Sequence, residues 1–298
     1  MSRFAPFFII VAASLWGLDG VVLRPYLYSL PVPLVVFTES AIVLLILFPM
    51  FFKKRKELLQ LNSSDWIYFF FVALLGGAIG TMSITKALFY VNYVNLSIVI
   101  LIQKLQPLFA LLLAFIILKE KPKKSFFAWA ALAIVGAYIM TFGFTVPSFD
   151  LSDKTTLATL FSLIAAVSFG SSTVLSKRAL QNVSFEIGTY LRFLFAVVIL
   201  TIIISINGDF SSFNEITSTQ WIVFIIIAFT TGGAAIFLYY YGLKKITASV
   251  ATICELAFPL TAVILEYLLR DNILNAVQWL GVTILFFAII KVTRYSNE

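Results

Sequence analysis

The sequence predicts an all-α membrane protein, with ten transmembrane helices arranged as two inverted five-helix repeats and both termini in the cytoplasm. Three observations lead there. Of 298 residues, 61% are hydrophobic and 12% charged, and the mean hydropathy is +1.02. An ordinary soluble domain is about 25% charged and 45–50% apolar, so one globular core cannot hide this much apolar surface. Apolar runs near the ~20 residues that cross a bilayer recur ten times. Finally, landmarks of the first half return in order in the second, 152 to 156 positions later.

The runs lie near residues 4–24, 33–52, 66–88, 95–118, 125–145, 156–176, 185–206, 220–241, 248–269 and 274–292. They leave no room for a soluble domain, so function is expected inside the bundle or at its mouths. Trp16, Asp19 and Arg24 interrupt the first run and no small-residue cleavage site follows it, which reads as a span and not a cleaved leader. Alternate links carry the basic residues: Arg3, Lys53 to Lys56 with Arg55 among them, Lys119, Lys121, Lys123, Lys124, Lys177, Arg178, Lys244, Lys245, Lys291 and Arg294. The remaining links keep Arg24, Lys154 and Arg270 and hold Asp150, Asp153, Asp209 and Glu215. The positive-inside rule therefore puts the first set in the cytoplasm. The net charge of +7 is explained by this topology, and no nucleic-acid partner is expected. Trp66, Trp129 and Trp221 read as interface anchors.

Trp16-Gly17 corresponds to Phe169-Gly170, Arg24 to Lys177 and Glu39 to Arg192, each 153 positions on. Trp66 pairs with Trp221, Gly76-Gly77-Ala78 with Gly232-Gly233-Ala234, and Pro107 with Pro259. Five spans is an odd number, so the second copy enters from the opposite side; residues 1–147 and 148–298 form the two copies. Inverted repeats of this kind build secondary transporters, with the site near the midplane where the copies meet.

The set resembles the drug/metabolite transporter superfamily, specifically its EamA-type ten-helix carriers. The matching residues are Leu15-Trp16-Gly17 with Arg24, Ala87 to Tyr90 running to Leu96-Ser97, and Pro107 with Glu120. The second copy contributes Phe169-Gly170 with Lys177, Arg192, Gly242-Leu243, Ala248-Ser249 and Pro259. The resemblance implies alternating-access transport of a small metabolite, spans 1, 3, 4, 6, 8 and 9 around a central cavity, and spans 5 and 10 at the periphery. The chain departs from the family pattern at Asp19, Glu39, Phe169 and Asn272.

Charges within hydrocarbon are costly, by about 2.5–3.5 kcal/mol or more each, and so mark candidate sites. Asp19 lies one turn after Trp16; it suits a cationic substrate group or a coupled proton, or else a structural partner for Lys104. Glu39 and Arg192 suit a gate salt bridge, with static pairing as the alternative. In span 4, Gln103, Lys104, Gln106 and Pro107 share an arc; in span 9, Ser249, Thr252, Glu255 and Pro259 do. Each proline leaves the carbonyl four residues earlier, of Gln103 or Glu255, without its helical donor. Lys104 and Glu255 are expected at opposite poles of a zwitterion site, or paired with each other. Trp16, Phe169 and the run Tyr239-Tyr240-Tyr241 are placed to stack on a substrate. The expected substrate-binding set is thus Trp16, Asp19, Gln103, Lys104, Phe169, Tyr239, Thr252 and Glu255, and the gating set Glu39, Arg192, Pro107 and Pro259. Gly76 and Gly80 suit close helix packing.

With one cysteine and no histidine, a disulfide framework, a zinc site and histidine chemistry are excluded. No GxGD, DDxxD or P-loop is present, so neither an embedded enzyme nor an ATP-driven pump is expected, and no cofactor or metal. The expected partners are a small-molecule substrate, the lipid bilayer, and protons or another coupling ion. An amino acid or related compound is the expected substrate and export the expected direction, at a prokaryotic inner membrane. The alternatives are a non-transporting receptor or scaffold, or a flippase for a lipid-like substrate, on the same fold.

Overall fold

A computed structural model describes residues 4–91, 99, 102–144, 153–270 and 274–297. Leu96, Ser97, Asp150 and Asn272, and the side chains of Asp153 and Arg270, lie outside what it describes. Among the described residues all regular structure is helical. Nine helical stretches are long and apolar enough to cross a membrane. They match every expected span except the fourth, whose start falls outside the described residues and whose remainder, Gln106–Ile117, is short.

The first span is α1 (Ala5–Leu18), a π turn (Asp19–Leu23) and a 3-10 turn (Arg24–Leu27). α2 covers Val32–Lys54. The third is α3 (Ser63–Val72) and α4 (Gly80–Val91), joined by a π segment, Ala73–Ile79. α5 (Gln106–Ile117), α6 (Lys124–Phe142), α7 (Asp153–Ala179) and α8 (Phe185–Asn207) follow. α9 (Ser218–Phe229) and α10 (Gly233–Lys245) form the eighth span, α11 (Ala248–Cys254) and α12 (Ala257–Arg270) the ninth, and α13 (Ala276–Thr293) the last. Spans 3 and 8 are thus both distorted at their Gly-Gly-Ala triplets, where small residues let backbone depart from α geometry while packed in protein.

The packing of the halves is reciprocal. α1 packs on α10 and α12, while α7, its counterpart, packs on α4 and α5; α2 faces α8, α5 faces α11, and α6 faces α13. Two glycines allow a matched pair of close approaches between the halves. A Cβ at Gly17 would lie 2.7 Å from the Phe258 carbonyl oxygen, and one at Gly170 would lie 2.9 Å from that of Gln106. Each glycine therefore presses on the residue just before the proline of the other half's broken helix. Large apolar side chains remain exposed on the outer faces, among them Leu45, Phe115, Ile202 and Phe287. In a bundle this apolar they face lipid, as expected of an integral multi-pass membrane protein.

Candidate functional site

The site grows from two helix breaks. Chain turns at Lys104-Leu105 precede α5 and at Glu255-Leu256 separate α11 from α12. Leu105 N–H reaches Ile102 O at 3.0 Å, and Leu256 N–H reaches Ile253 O at 3.1 Å, the tightened bonding of a 3-10 turn. The Glu255 carbonyl, expected to be free because of Pro259, instead accepts from Phe258 N–H at 3.0 Å. The tighter turn supplies a donor one residue earlier than the missing one, so this backbone acceptor is not offered to a ligand.

The Glu255 side chain gathers four spans. It accepts from Tyr239 Oη on α10 at 2.6 Å, from Thr173 Oγ1 on α7 at 3.2 Å, and from Gln106 Nε2 on α5. Thr173 and Tyr239 are also joined, at 2.9 Å. The Trp16 ring lies 5.4 Å from that of Tyr239, which brings span 1 to the same place. One turn before Glu255, Thr252 is fully buried and its hydroxyl has no partner among the described residues. A carboxylate, an amide, hydroxyls and two aromatic rings therefore converge from spans 1, 4, 6, 8 and 9. Phe169 packs over Gly80 instead, and Gln103 is half-buried while Gln106 makes the contact.

Lys104 stands elsewhere. It is 4% exposed, and its Nζ donates to Ala137 O on α6 at 2.6 Å and to Thr141 Oγ1. The expected pairings of Lys104 with Glu255 or with Asp19 are not made. Lys104 sits in the turn and faces the fifth span, whereas Gln106, two residues on, faces α7 and the ninth.

Asp19, Arg24 and Glu39 form a buried cluster, each 8% exposed. Arg24 donates to Asp19 Oδ2 through Nε at 3.0 Å and Nη2 at 2.5 Å, and through Nη1 to Glu39 Oε1 at 2.7 Å. Thr231, at the distortion of the eighth span, donates to Asp19 Oδ1 at 3.1 Å. Arg24, expected in an outer link, is thus interior, because the π turn brings residues five apart onto one side. Glu39 is taken by Arg24, so no Glu39–Arg192 gate bridge forms. Arg192 Nη1 instead lies 3.5 Å from Ser172 Oγ and 3.4 Å from Tyr240 Oη. Ser172 and Arg192 stand 153 positions after Asp19 and Glu39, so a net-negative and a net-positive cluster lie at matched offsets.

The basic links converge at one end, where the halves are tied together. Lys54 pairs with Glu186 at 2.7 Å, Glu57 Oε2 accepts from Ser184 N–H at 2.7 Å, and Asn182 Nδ2 donates to Asp65 at 2.9 Å. Glu120 accepts from Ala248 N–H at 2.8 Å and Ser249 N–H at 2.9 Å, and from Ser249 Oγ at 2.5 Å.

Sequence reasoning passed over Arg24, Thr173 and Thr231 as site residues. Thr173 carried a signal, lying one helical turn past Phe169 on a span expected to line the cavity.

Comparison with known proteins places this geometry. The EamA-like transporter family model matches residues 3–142 and again 156–294. The chain is 45% identical over 289 residues to the riboflavin transporter ImpX of Fusobacterium nucleatum, covering 97% of each chain. It is 25% identical over 268 residues to an uncharacterized transporter of Clostridium kluyveri, covering 90% of this chain and 83% of that one. A solved crystal structure shares the fold at a TM-score of 0.74, with 15% identity and coverage of 98% and 97%.

Proposed function

The chain belongs to the EamA-like transporter family, and from its being a membrane transporter and not an enzyme we propose that it carries riboflavin or a closely similar flavin by alternating access. The observation that carries the substrate is the 45% identity, over 97% of both chains, to a protein named as a riboflavin transporter. The chemistry at Glu255 is compatible with it. A flat, mostly apolar ring system finds Trp16 and Tyr239, and its polar edge and polyol chain find Gln106, Thr173, Thr252 and Glu255. An amino acid fits less well, because Lys104, the cation meant for its carboxylate, is bound to α6.

The proposal includes the architecture: ten spans, inverted copies at 1–147 and 148–298, and both termini on the basic, cytoplasmic side. The reciprocal packing and the two family matches support it. A coupling proton has its best seat at Asp19, Arg24 and Glu39, where two carboxylates face one guanidinium and leave one negative charge over.

Counterflow tests the substrate without assuming a direction or a coupling ion. Proteoliposomes loaded with unlabelled riboflavin should accumulate labelled riboflavin, and Glu255→Gln should abolish this while inserting and purifying normally. Folded protein that gives no counterflow with riboflavin would refute the substrate, and an active Glu255→Gln would refute the site. Net flux in oriented vesicles then separates import from export.

A further inference from the structure

We infer that Glu120 is a positioning residue for transport, a latch that holds α11, and with it Thr252 and Glu255, in the arrangement closed at the basic end. An α-helix begins with N–H groups that have no partner inside it. In α11 these are satisfied from outside: Ala248 and Ser249 by the two Glu120 oxygens, and Val250 by Thr247 Oγ1 at 3.3 Å. Glu120 belongs to the first half and α11 to the second. Its carboxylate also faces the positive end of the helix dipole, which favours it further. The end of the fourth span is shaped for this. Lys119 adopts a left-handed φ of 56°, unusual outside glycine, and Glu120 N–H closes on Ala114 O at 3.2 Å. Opening the bundle at the basic end requires α5 and α11 to separate there, which breaks three hydrogen bonds to one carboxylate and strands two N–H donors. The other ties between the halves at this end, Lys54 to Glu186, Glu57 to Ser184 N–H and Asn182 to Asp65, bind other segments and do not hold α11.

The latch rests on the alternating-access reading, and the test separates the two. Cys254 is the sole cysteine of the chain, lies on α11 and is fully buried, so its reaction with a membrane-impermeant maleimide added at the basic end reports the opening with no substrate present. Glu120→Gln keeps one acceptor and loses the charge; Glu120→Ala removes both acceptors. Labelling should accelerate about tenfold or more in Glu120→Ala and less in Glu120→Gln, with Glu120→Asp near the parent. Because apparent affinity scales with the population of the competent state, the riboflavin KM should rise from the far side and fall from the basic side. A structural defect would worsen both sides together. Unchanged labelling in folded Glu120→Ala protein, or KM values that move in the same direction on both faces, would overturn the latch. Faster labelling without riboflavin transport would uphold the latch and remove the substrate proposal alone.

Discussion

Replacing Arg24 with methionine leaves Asp19 and Glu39 facing each other inside the bundle with no cation between them. The guanidinium makes three hydrogen bonds of 2.5 to 3.0 Å to the two carboxylates, and each of the three residues is 8% exposed. Removing one member of a buried pair costs about 3–5 kcal/mol, because the remaining charge keeps its desolvation penalty and loses its partner. Here two charges are orphaned, so the upper half of that range is expected, about 4–5 kcal/mol. Methionine nearly conserves volume, so little of the loss is cavity. Unfolding by SDS titration in mixed micelles reads the free energy. The triple variant Arg24→Met, Asp19→Asn, Glu39→Gln should recover most of it, since neutral amides stay without the unpaired charge. A loss below about 1 kcal/mol, the scale of an exposed ion pair, or no recovery in the triple variant, would refute the buried cluster.

Two further changes probe the packing and the site. Gly17→Ala and Gly170→Ala should each destabilise by about 1–3 kcal/mol through overpacking, since the new methyl would meet backbone oxygen at 2.7 and 2.9 Å; Gly20→Ala, with open space, serves as the control, and equal effects at all three positions would count against the close approaches. Lys104→Met should leave the riboflavin KM within about twofold and stability neutral to improved, because a buried ammonium bonded, among the described residues, only to Ala137 O and Thr141 Oγ1 carries a desolvation cost that methionine lacks; a tenfold rise in KM would return Lys104 to the substrate path.

What could be read beforehand follows from which constraints act along the chain and which act between helices. The bilayer demands apolar runs of a set length, so nine spans were legible from residue order alone; the proposed repeat rests on landmarks at matched offsets, Trp16-Gly17 with Phe169-Gly170, Glu39 with Arg192 and Pro107 with Pro259. Glu255 stood out because a carboxylate one turn before a proline in hydrocarbon needs an explanation. Lys104 looked equivalent, but an arc on a helical wheel does not name the neighbour it faces, and α6 holds it. Arg24 was misplaced for a different reason. On an α-helix it stands about 140° from Asp19, at 100° per residue, and at the end of its apolar run it reads as part of the outer link. The π turn at Asp19–Leu23 removes that angle, and no residue in Asp-Gly-Val-Val-Leu announces it.

The Asp19, Arg24 and Glu39 cluster also bears on how the protein is made. All three charges lie in the first two spans, and each alone would enter lipid at a cost of about 2.5–3.5 kcal/mol. Their mutual bonds need only the turns after α1 and the first part of α2: Arg24 lies five residues from Asp19 and fifteen from Glu39, so the three leave the ribosome close together. The first two spans are therefore suited to pass from translocon to lipid as a single hairpin, with Arg24 already paired and one net negative charge in place of three separate charges. Thr231, from the second half, joins the cluster only after most of the chain has been synthesised.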